Sequence, residues 1–469
     1  MVQLTFYGGV KEIGGNKILL QDHDTRIFLD FGMSFSRRGR YFEEFLNPRT
    51  ANGIGDFLTM GLLPDITGIY RDDLLTHHGR PPETPTIDAV LLSHAHADHA
   101  NYISFLHKDI PIHLSTTCHR ILTAVAEQST RDIEHEVLDY RTRPIKKTDR
   151  GTPPTKRTFH TFKNHDHLTI GCLDIEPIQV DHSVPGAYAF LIHTTQGTII
   201  YTGDLRTHGL HATLTQDFMT QAKQSKPIAM ITEGTRIDRG RTGESEHKVY
   251  TDAKQAITTC TDLSLVDFNF KDVDRFTTFY HIATDLNKTL VISFKHACFL
   301  EQYHHDTSLG VPHTIDPHIA ILKPKRQTGT YCDDDYHDDY IKKRLHYPNI
   351  ITADTITQHP CDYIVVLNYW YFNSLIDLQP QHGTYIHSLS EPFNEEMEVS
   401  FHRMQEWIQF FHLNYKQAHC SGHINGADLR DLIRTIQPQR LFPIHTEHPG
   451  MIRLPIKTTR VQEGKTYKL

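Results

Sequence analysis

A chain of 469 residues with 38% hydrophobic and 22% charged residues has an ordinary globular composition, and it is long enough for two or three domains, each with its own core. Forty-eight Lys and Arg against 56 Asp and Glu give a formal net charge of −8, which excludes a global field that attracts polyanions; nucleic-acid binding would need a local basic surface. No apolar run approaches membrane-spanning length, so no membrane partner is expected.

The N-terminus, Met1 to Tyr7, alternates as a strand does and lacks the charged-then-apolar pattern of a secretory signal. Strands are predicted at 4–7, 17–21, 26–30, 89–93, 111–114, 168–179, 187–194, 198–202 and 228–232. Several are apolar throughout, which suits strands buried in a layered fold. One helix is expected after His99 and another from Cys118 to about Tyr140. Glu12-Ile13-Gly14-Gly15-Asn16 reads equally as a tight turn near a site and as a plain hairpin turn. Phe35, Tyr41, Phe42, Tyr70 and Arg71 lie in a long early segment that could flank a groove, where aromatics stack on bases.

The stretch Ser93-His94-Ala95-His96-Ala97-Asp98-His99 places three imidazoles and a carboxylate within positions 94–99, directly after an apolar strand. Neutral imidazole and carboxylate suit Zn²⁺ and similar divalent ions. A strand ending in such a loop can present ligands to two adjacent metals, which points to hydrolysis by an activated water. The chain holds 35 His, so the cluster is weighed with its partners. Asp30, His182, Asp204 and Glu233 each follow an apolar strand, which suggests side chains converging at one sheet edge. From Arg141 to Lys163 eight Lys and Arg (141, 143, 146, 147, 150, 156, 157, 163) face one acid, Asp149; this is a candidate basic surface or, equally, a solvated loop. The cysteines at 118, 172, 260, 298, 332, 361 and 420 form no CxxC pair, which reads as reduced thiols in a cytoplasmic protein.

From about Ile237 helical patterns mix with a few strands, including 289–294 and 363–368. Met397, Phe401, Met404, Ile408 and Phe411 recur as an amphipathic helix packed on a core. This segment looks like a second domain inserted into the first. The last 50 residues return to the earlier style. A turn ends at His423, Leu429, Leu432, Ile433 and Ile436 mark a helix stopped by Pro438, and a strand at 440–444 delivers His445.

The pattern Asp30, His94-x-His96-x-Asp98-His99, His182, Asp204 resembles the metallo-β-lactamase superfamily. Glu233 after a strand, His423 in a Ser-Gly-His turn and His445 in a Pro-x-His turn resemble its nucleic-acid-processing β-CASP branch. Tyr7-Gly8-Gly9-Val10-Lys11-Glu12-Ile13-Gly14-Gly15-Asn16 and Asp181-His182-Ser183-Val184-Pro185 are similar to the ribonuclease J group. The resemblance covers nearly the whole chain, in family order. It implies an α/β fold: a four-layer αβ/βα metallo-β-lactamase sandwich with an inserted β-CASP domain. The expected divisions are 1–235, the first part of the metallo-β-lactamase domain; 236–418, the insertion; and 419–469, the C-terminal part. Carried over by position, His94, His96 and His182 hold one metal, Asp98, His99 and His445 the other, and Asp204 bridges both. Asp30 stands behind the ligands and orients an imidazole. Two divalent ions are implied, Zn²⁺ with Mn²⁺ as the alternative. Where ribonuclease J proteins carry a Gly-Ser-Gln-Gly-like loop, this chain reads His387-Ser388-Leu389-Ser390-Glu391-Pro392-Phe393. The chain ends at Leu469, so the C-terminal domain that many ribonuclease J proteins use in oligomerisation is expected to be missing; a homo-oligomer stays open.

The expected chemistry is hydrolysis of RNA phosphodiesters, from an end, internally or both. Hydroxide held between the metals attacks phosphorus, giving 5′-phosphate and 3′-hydroxyl products. Asp98, Glu233 and His423 form the catalytic set. His423 is the general acid for the leaving 3′-oxygen, oriented by Glu233, which raises its pKa. Ser183 and Ser421 could donate hydrogen bonds to phosphate or simply cap turns. Two alternatives are a small-molecule ester or thioester metallohydrolase, which the same metal core serves, and a DNA-processing nuclease. DNA-acting branches of the family tend to lack the final His, so His445 favours RNA. A non-catalytic scaffold is disfavoured by the complete ligand set.

Overall fold

Residues Val2–Gly8 and Lys17–Asp22 pair as an antiparallel hairpin, and Thr25–Phe31 adds beside them. From Thr25–Phe31 the sheet continues in parallel through Ala89–Leu91, Ile112–Ser115 and Phe159–Phe162, while Thr466–Lys468 closes the other edge. A second sheet repeats the plan. Leu168–Ile170, Leu173–Gln179, Tyr188–Thr194 and Gly197–Tyr201 run antiparallel, then Ala229–Thr232, Arg440–Pro443 and Lys457–Thr458 add in parallel. The computed structural model describes residues 1–469 other than 44, 130–131, 145–152, 242, 391 and 393–394.

Period-two alternation sends Phe6, Ile18, Leu20, Ile27 and Leu29 of the first sheet against Ile175, Phe190, Ile192, Tyr201, Ile231 and Phe442 of the second. The second sheet's outer face, Ile178, Ala189, Leu191, Ile200, Met230 and Leu441, packs on Phe218 and Ala222 of helix Ala212–Gln224 and on Leu429, Leu432, Ile433 and Ile436 of helix Gly426–Ile436. That last helix starts where the Asn425 side chain accepts the N–H groups of Ala427 and Asp428, and it stops at Gln437, whose φ is 57°. Helix Thr116–Gln128 covers the first sheet beside Ile112–Ser115. The architecture is the four-layer αβ/βα sandwich. It belongs to one compact unit, Met1–Thr207, His211–Thr242 and Gly422–Leu469; the other unit is His208–Leu210 and Gly243–Ser421.

The second unit is a parallel sheet in the order Ile350–Ile351, Ile319–Leu322, Thr289–Ile292, Tyr363–Val366, Ser264–Asp267, Thr384–His387, Asn414–Gln417. Met404 and Ile408 of helix Glu395–Phe410 are buried with Leu265, Val291, Val365 and Tyr385. The amphipathic spacing anticipated that helix. Most of the strands have four residues, too short for periodicity to separate from a buried helix turn.

Four expectations are corrected. The helix from Cys118 ends at Gln128, and Asp139–Tyr140 is a short strand; the Asp132 carboxylate takes the N–H groups of Glu134 and His135, a local turn that competes with helix. The run 168–179 is two strands, because Gly171 at φ 55° reverses the chain. Tyr70 and Arg71 flank no groove: both are fully buried, and Arg71 is held by Asp73 and Glu136. Nor is the stretch from Arg141 to Lys163 a uniform basic surface. Arg157 is buried, donating to the carbonyls of Ser104 and Leu106, and Arg143 pairs with Glu136. Lys146, Lys147, Asp149 and Arg150 lie outside the described residues, as do Glu391 and Phe393. No helix among the described residues is long and apolar enough to cross a membrane.

Asp267, at the end of a central strand of the second unit, is pushed up to about 7 by burial, against the lowering effect of the Tyr385 hydroxyl donated at 2.9 Å. The nearest imidazole, His387 at 3.8 Å, is itself pushed down to about 4 by burial and gives no compensating charge. A raised carboxyl pKa favours the fold at low pH and is progressively lost as pH rises from the unfolded value toward 7. Asp267→Asn is therefore expected to flatten that part of the stability–pH curve, gaining at most about 4 kcal/mol over the parent above pH 7. Urea denaturation at several pH values checks this.

Candidate metal centre

The loop after the buried strand Ala89–Leu91 carries His94, and His96 N-caps the short helix Ala97–Ala100, which holds Asp98 and His99. His182 follows Leu173–Gln179, Asp204 follows Gly197–Tyr201, and His445 follows Arg440–Pro443. Strands of both sheets thus end at one rim of the sandwich, and their donors converge. His94, His96, His182 and Asp204 each offer one ligand atom within 4.8 Å of the others, and so do Asp98, His99 and His445. His96 Nδ1 lies 3.0 Å from His94 Nε2 and 3.2 Å from His182 Nε2. Nitrogens arranged tetrahedrally at about 2.0–2.1 Å from an ion are about 3.3 Å apart, so these rings already stand at ligand spacing. The Asp204 carboxylate joins the two sets: Oδ2 is 3.8 Å from His94 Nε2, 3.1 Å from His99 Nε2 and 3.6 Å from His445 Nε2. His445 Nε2 is 3.1 Å from Asp98 Oδ2.

These residues fit a metal by a test of their own. Asp204 Oδ1 and Oδ2 and His99 Nε2 are buried yet make no properly oriented hydrogen bond. Orphaned buried polar atoms are costly, and a cation held among the two donor sets would satisfy the Asp204 oxygens and a neutral His99 Nε2 together. Burial first, and then neighbouring imidazoles, holds His94 and His182 well below the ordinary histidine range, in the neutral form that ligates. Burial would lower His99 too, but Asp204, Asp30 and Asp98 raise it well above that range in the ion-free protein. Asp204 and Asp98 are held ionised, burial notwithstanding, by the imidazoles around them.

Behind the donors sits a layer of orienting contacts. Asp30, at φ 57°, accepts from His99 Nδ1 at 2.7 Å, from the Ser93 N–H and hydroxyl at 2.7 Å each, and from the Tyr201 hydroxyl. Asn16 donates to Tyr201 at 3.1 Å. The Thr235 hydroxyl meets His445 Nδ1 at 2.8 Å, and the Gly422 carbonyl meets His182 Nδ1 at 2.6 Å. Each bond fixes a ring so that its other nitrogen faces the cage. Gly14, at φ 80°, needs to be glycine, because a Cβ there would lie 2.5 Å from Asp98 Oδ2; the glycine turn is thereby packed on the site. Of this layer, Asp30 was expected from sequence. Ser93, Tyr201, Thr235 and Gly422 were not. Tyr201 reads as one more core aromatic of its strand, and a backbone carbonyl leaves no trace in a sequence. Tyr201→Phe removes one of four donors to Asp30 and is expected to weaken metal affinity by about 10–100-fold, read by competition with a chromogenic chelator.

Glu233 follows Ala229–Thr232; its Oε1 accepts the Leu205 N–H at 2.8 Å, and its Oε2 lies 3.0 Å from His423 Nδ1. His423 is also 3.7 Å from Asp204. Burial lowers its pKa, but Glu233 and then Asp204 outweigh burial and push it up to about 9. Ser183 is half-buried beside His182, and a Cβ on Gly422 would stand 2.4 Å from its hydroxyl. Ser421 belongs to the second unit, where its N–H donates to Glu244 and its carbonyl accepts from His208.

Fold and donor set define a metallohydrolase-type centre on a metallo-β-lactamase sandwich. Comparison with known proteins agrees. A beta-lactamase superfamily domain model matches residues 64–265, and a Zn-dependent metallo-hydrolase RNA specificity domain matches 413–457. The chain is 21% identical over 471 residues to ribonuclease J of Helicobacter pylori strain J99, covering 96% of this chain and 57% of the relative. It is 22% identical over 460 residues to ribonuclease J of Pyrococcus abyssi, covering 95% and 90%. A crystal structure of a protein of unknown function from Enterococcus faecalis V583 superposes with a TM-score of 0.76 at 23% identity, over 100% of both chains, which speaks to the fold. The chain thus carries a beta-lactamase superfamily domain and is similar, over nearly its whole length, to the β-CASP, ribonuclease J-like branch of that superfamily.

Proposed function

We propose that the protein hydrolyses RNA phosphodiesters with two divalent ions, Zn²⁺ by the ligand chemistry with Mn²⁺ as the alternative, leaving 5′-phosphate and 3′-hydroxyl ends. The observation that carries this is the Asp204 carboxylate, buried, without a properly oriented hydrogen bond, and within 3.8 Å of ring nitrogens from both donor sets. The matched RNA-specificity domain and the ribonuclease J relatives support RNA as the substrate.

His94, His96 and His182 are assigned one ion, Asp98, His99 and His445 the other, and Asp204 both. Such a pair supplies Lewis-acid activation of water and neutralises phosphate charge. The protein does the rest. Asp30 and Thr235 hold the rings of His99 and His445 at fixed angles, so the donors need no reorganisation as charge develops. His423, fixed through Nδ1 by Glu233, is assigned the proton that passes from Nε2 to the leaving 3′-oxygen. Ser183 and Ser421 are assigned hydrogen bonds to substrate phosphate, and residues 236–418 the role of the β-CASP insertion. The chain spans 57% of the length of the Helicobacter relative, so the activity is proposed for this chain and not transferred whole.

The test uses an end-labelled RNA, the DNA of the same sequence and a generic ester, each with and without chelator. Chelator-sensitive cleavage of RNA, restored by Zn²⁺ or Mn²⁺, with end mapping to 5′-phosphates, is expected. Equal cleavage of DNA, or ester turnover alone, would overturn the assignment.

A further inference from the structure

A second group of metal-type donors lies far from the cage. Asp22 closes the strand Lys17–Asp22, His23 sits in the turn leading to Thr25–Phe31, and Cys172 directly precedes Leu173–Gln179. One ligand atom of each lies within 4.8 Å of the others. Strand direction places the group at the opposite rim of the sandwich. Thr25–Phe31 runs from this turn to Asp30, and Leu173–Gln179 runs from Cys172 toward His182, so roughly 20 Å separates the two groups at about 3.3 Å per residue.

We infer that Asp22, His23 and Cys172 form a second site, for a thiophilic divalent cation of the zinc class, joining the two sheets at the rim away from catalysis. Three kinds of donor meet there: carboxylate, imidazole and thiol. That mixture suits Zn²⁺ better than a hard ion such as Mg²⁺ or Ca²⁺. Asp22 is built in: its side chain is 0% exposed, Oδ1 accepts the Thr195 hydroxyl at 2.8 Å and Oδ2 the Thr195 N–H at 2.8 Å. A carboxylate oxygen can accept two hydrogen bonds, so Oδ2, which takes the Thr195 N–H, keeps a lone pair for an ion, while Oδ1 is shared by the Thr195 hydroxyl and His23 Nδ1, with the Met1 ammonium 4.0 Å away. His23 Nδ1 is 3.0 Å from Asp22 Oδ1, and its side chain is 60% exposed. The Cys172 N–H is fixed by the Thr25 hydroxyl at 3.0 Å, and its thiol points at the Asp22 carbonyl at 3.3 Å. Asp22 and His23 come from one sheet and Cys172 from the other. A buried anchor with two solvent-facing ligands lets a hydrated ion enter and keep water in its fourth position. Uptake exchanges the thiol proton for the S–metal bond, the proton leaving to solvent.

Cobalt(II) substitution of the full chain tests this, because the catalytic cage contains no sulfur. A thiolate-to-cobalt charge-transfer band in the near ultraviolet is expected in the parent protein. Cys172→Ser should abolish it, and His23→Ala should raise the cobalt concentration needed for it at least tenfold. Both variants should keep chelator-sensitive hydrolysis and the visible bands of cobalt in the nitrogen–oxygen cage. Absence of the near-ultraviolet band at saturating cobalt, its persistence in Cys172→Ser, or an unchanged titration in His23→Ala would each overturn the inference. None of these outcomes depends on which substrate the cage hydrolyses.

Discussion

Replacing His96 by alanine is expected to lower RNA cleavage by more than about 1,000-fold, beyond the 10–100-fold that loss of an outer hydrogen-bond partner brings. His96 is the ring that both His94 and His182 face, at 3.0 and 3.2 Å. Without it one donor set keeps two imidazoles and a shared carboxylate, and the ion that lowers the pKa of water is lost or misplaced. The fold should survive. His96 is partly exposed, at the N-terminus of a short helix, and its ring packs on the ligand rings of His94 and His182 and belongs to none of the hydrophobic core clusters among the described residues. Metal analysis and single-turnover cleavage on the same preparation, with circular dichroism as the folding check, measure the effect. A variant that keeps full metal and activity would remove His96 from the ligand set.

Replacing His423 by alanine is expected to act on chemistry and spare the metals. Removal of a positioned general acid costs about 10²–10⁴ in rate. Its Nδ1 contact to Glu233 at 3.0 Å and its pKa, pushed up to about 9 mainly by Glu233 against burial, keep the ring protonated through neutral pH. A substrate whose leaving group needs no proton, such as a p-nitrophenyl phosphodiester, separates the roles. The variant should lose far less on that substrate than on RNA. Loss of an ion in His423→Ala would reassign the residue to the metal, since Asp204, Glu233 and His423 also lie within 4.8 Å of one another.

The sandwich was legible because its long strands carry continuous apolar runs that end in polar residues. Asp30, His182, Asp204, Glu233 and His445 each close such a run, and the structure brings all of them, with the His94–His99 cluster, to one rim. The parallel sheet of the second unit was largely illegible, because four apolar residues in a row fit a strand and a helix turn alike. Arg157 and Arg71 misled for a related reason. A guanidinium reads as surface, yet carbonyls and carboxylates distant in sequence satisfy both in the interior. Tyr201 and Thr235 act through contacts to Asp30 and His445 at separations of 171 and 210 residues, which no local spacing encodes. The pairing of Asp22 and His23 with Cys172 was hidden in the same way, since the turns that bear them meet only after the two sheets close on each other.

Anomalous scattering from zinc-loaded crystals, recorded above and below the zinc edge, would show whether the rim cage holds two ions. Two peaks are expected within the rim cage, one among His94, His96 and His182, one among Asp98, His99 and His445, with the Asp204 carboxylate touching both. A cage without anomalous density in crystals grown with saturating zinc would contradict the two-ion assignment.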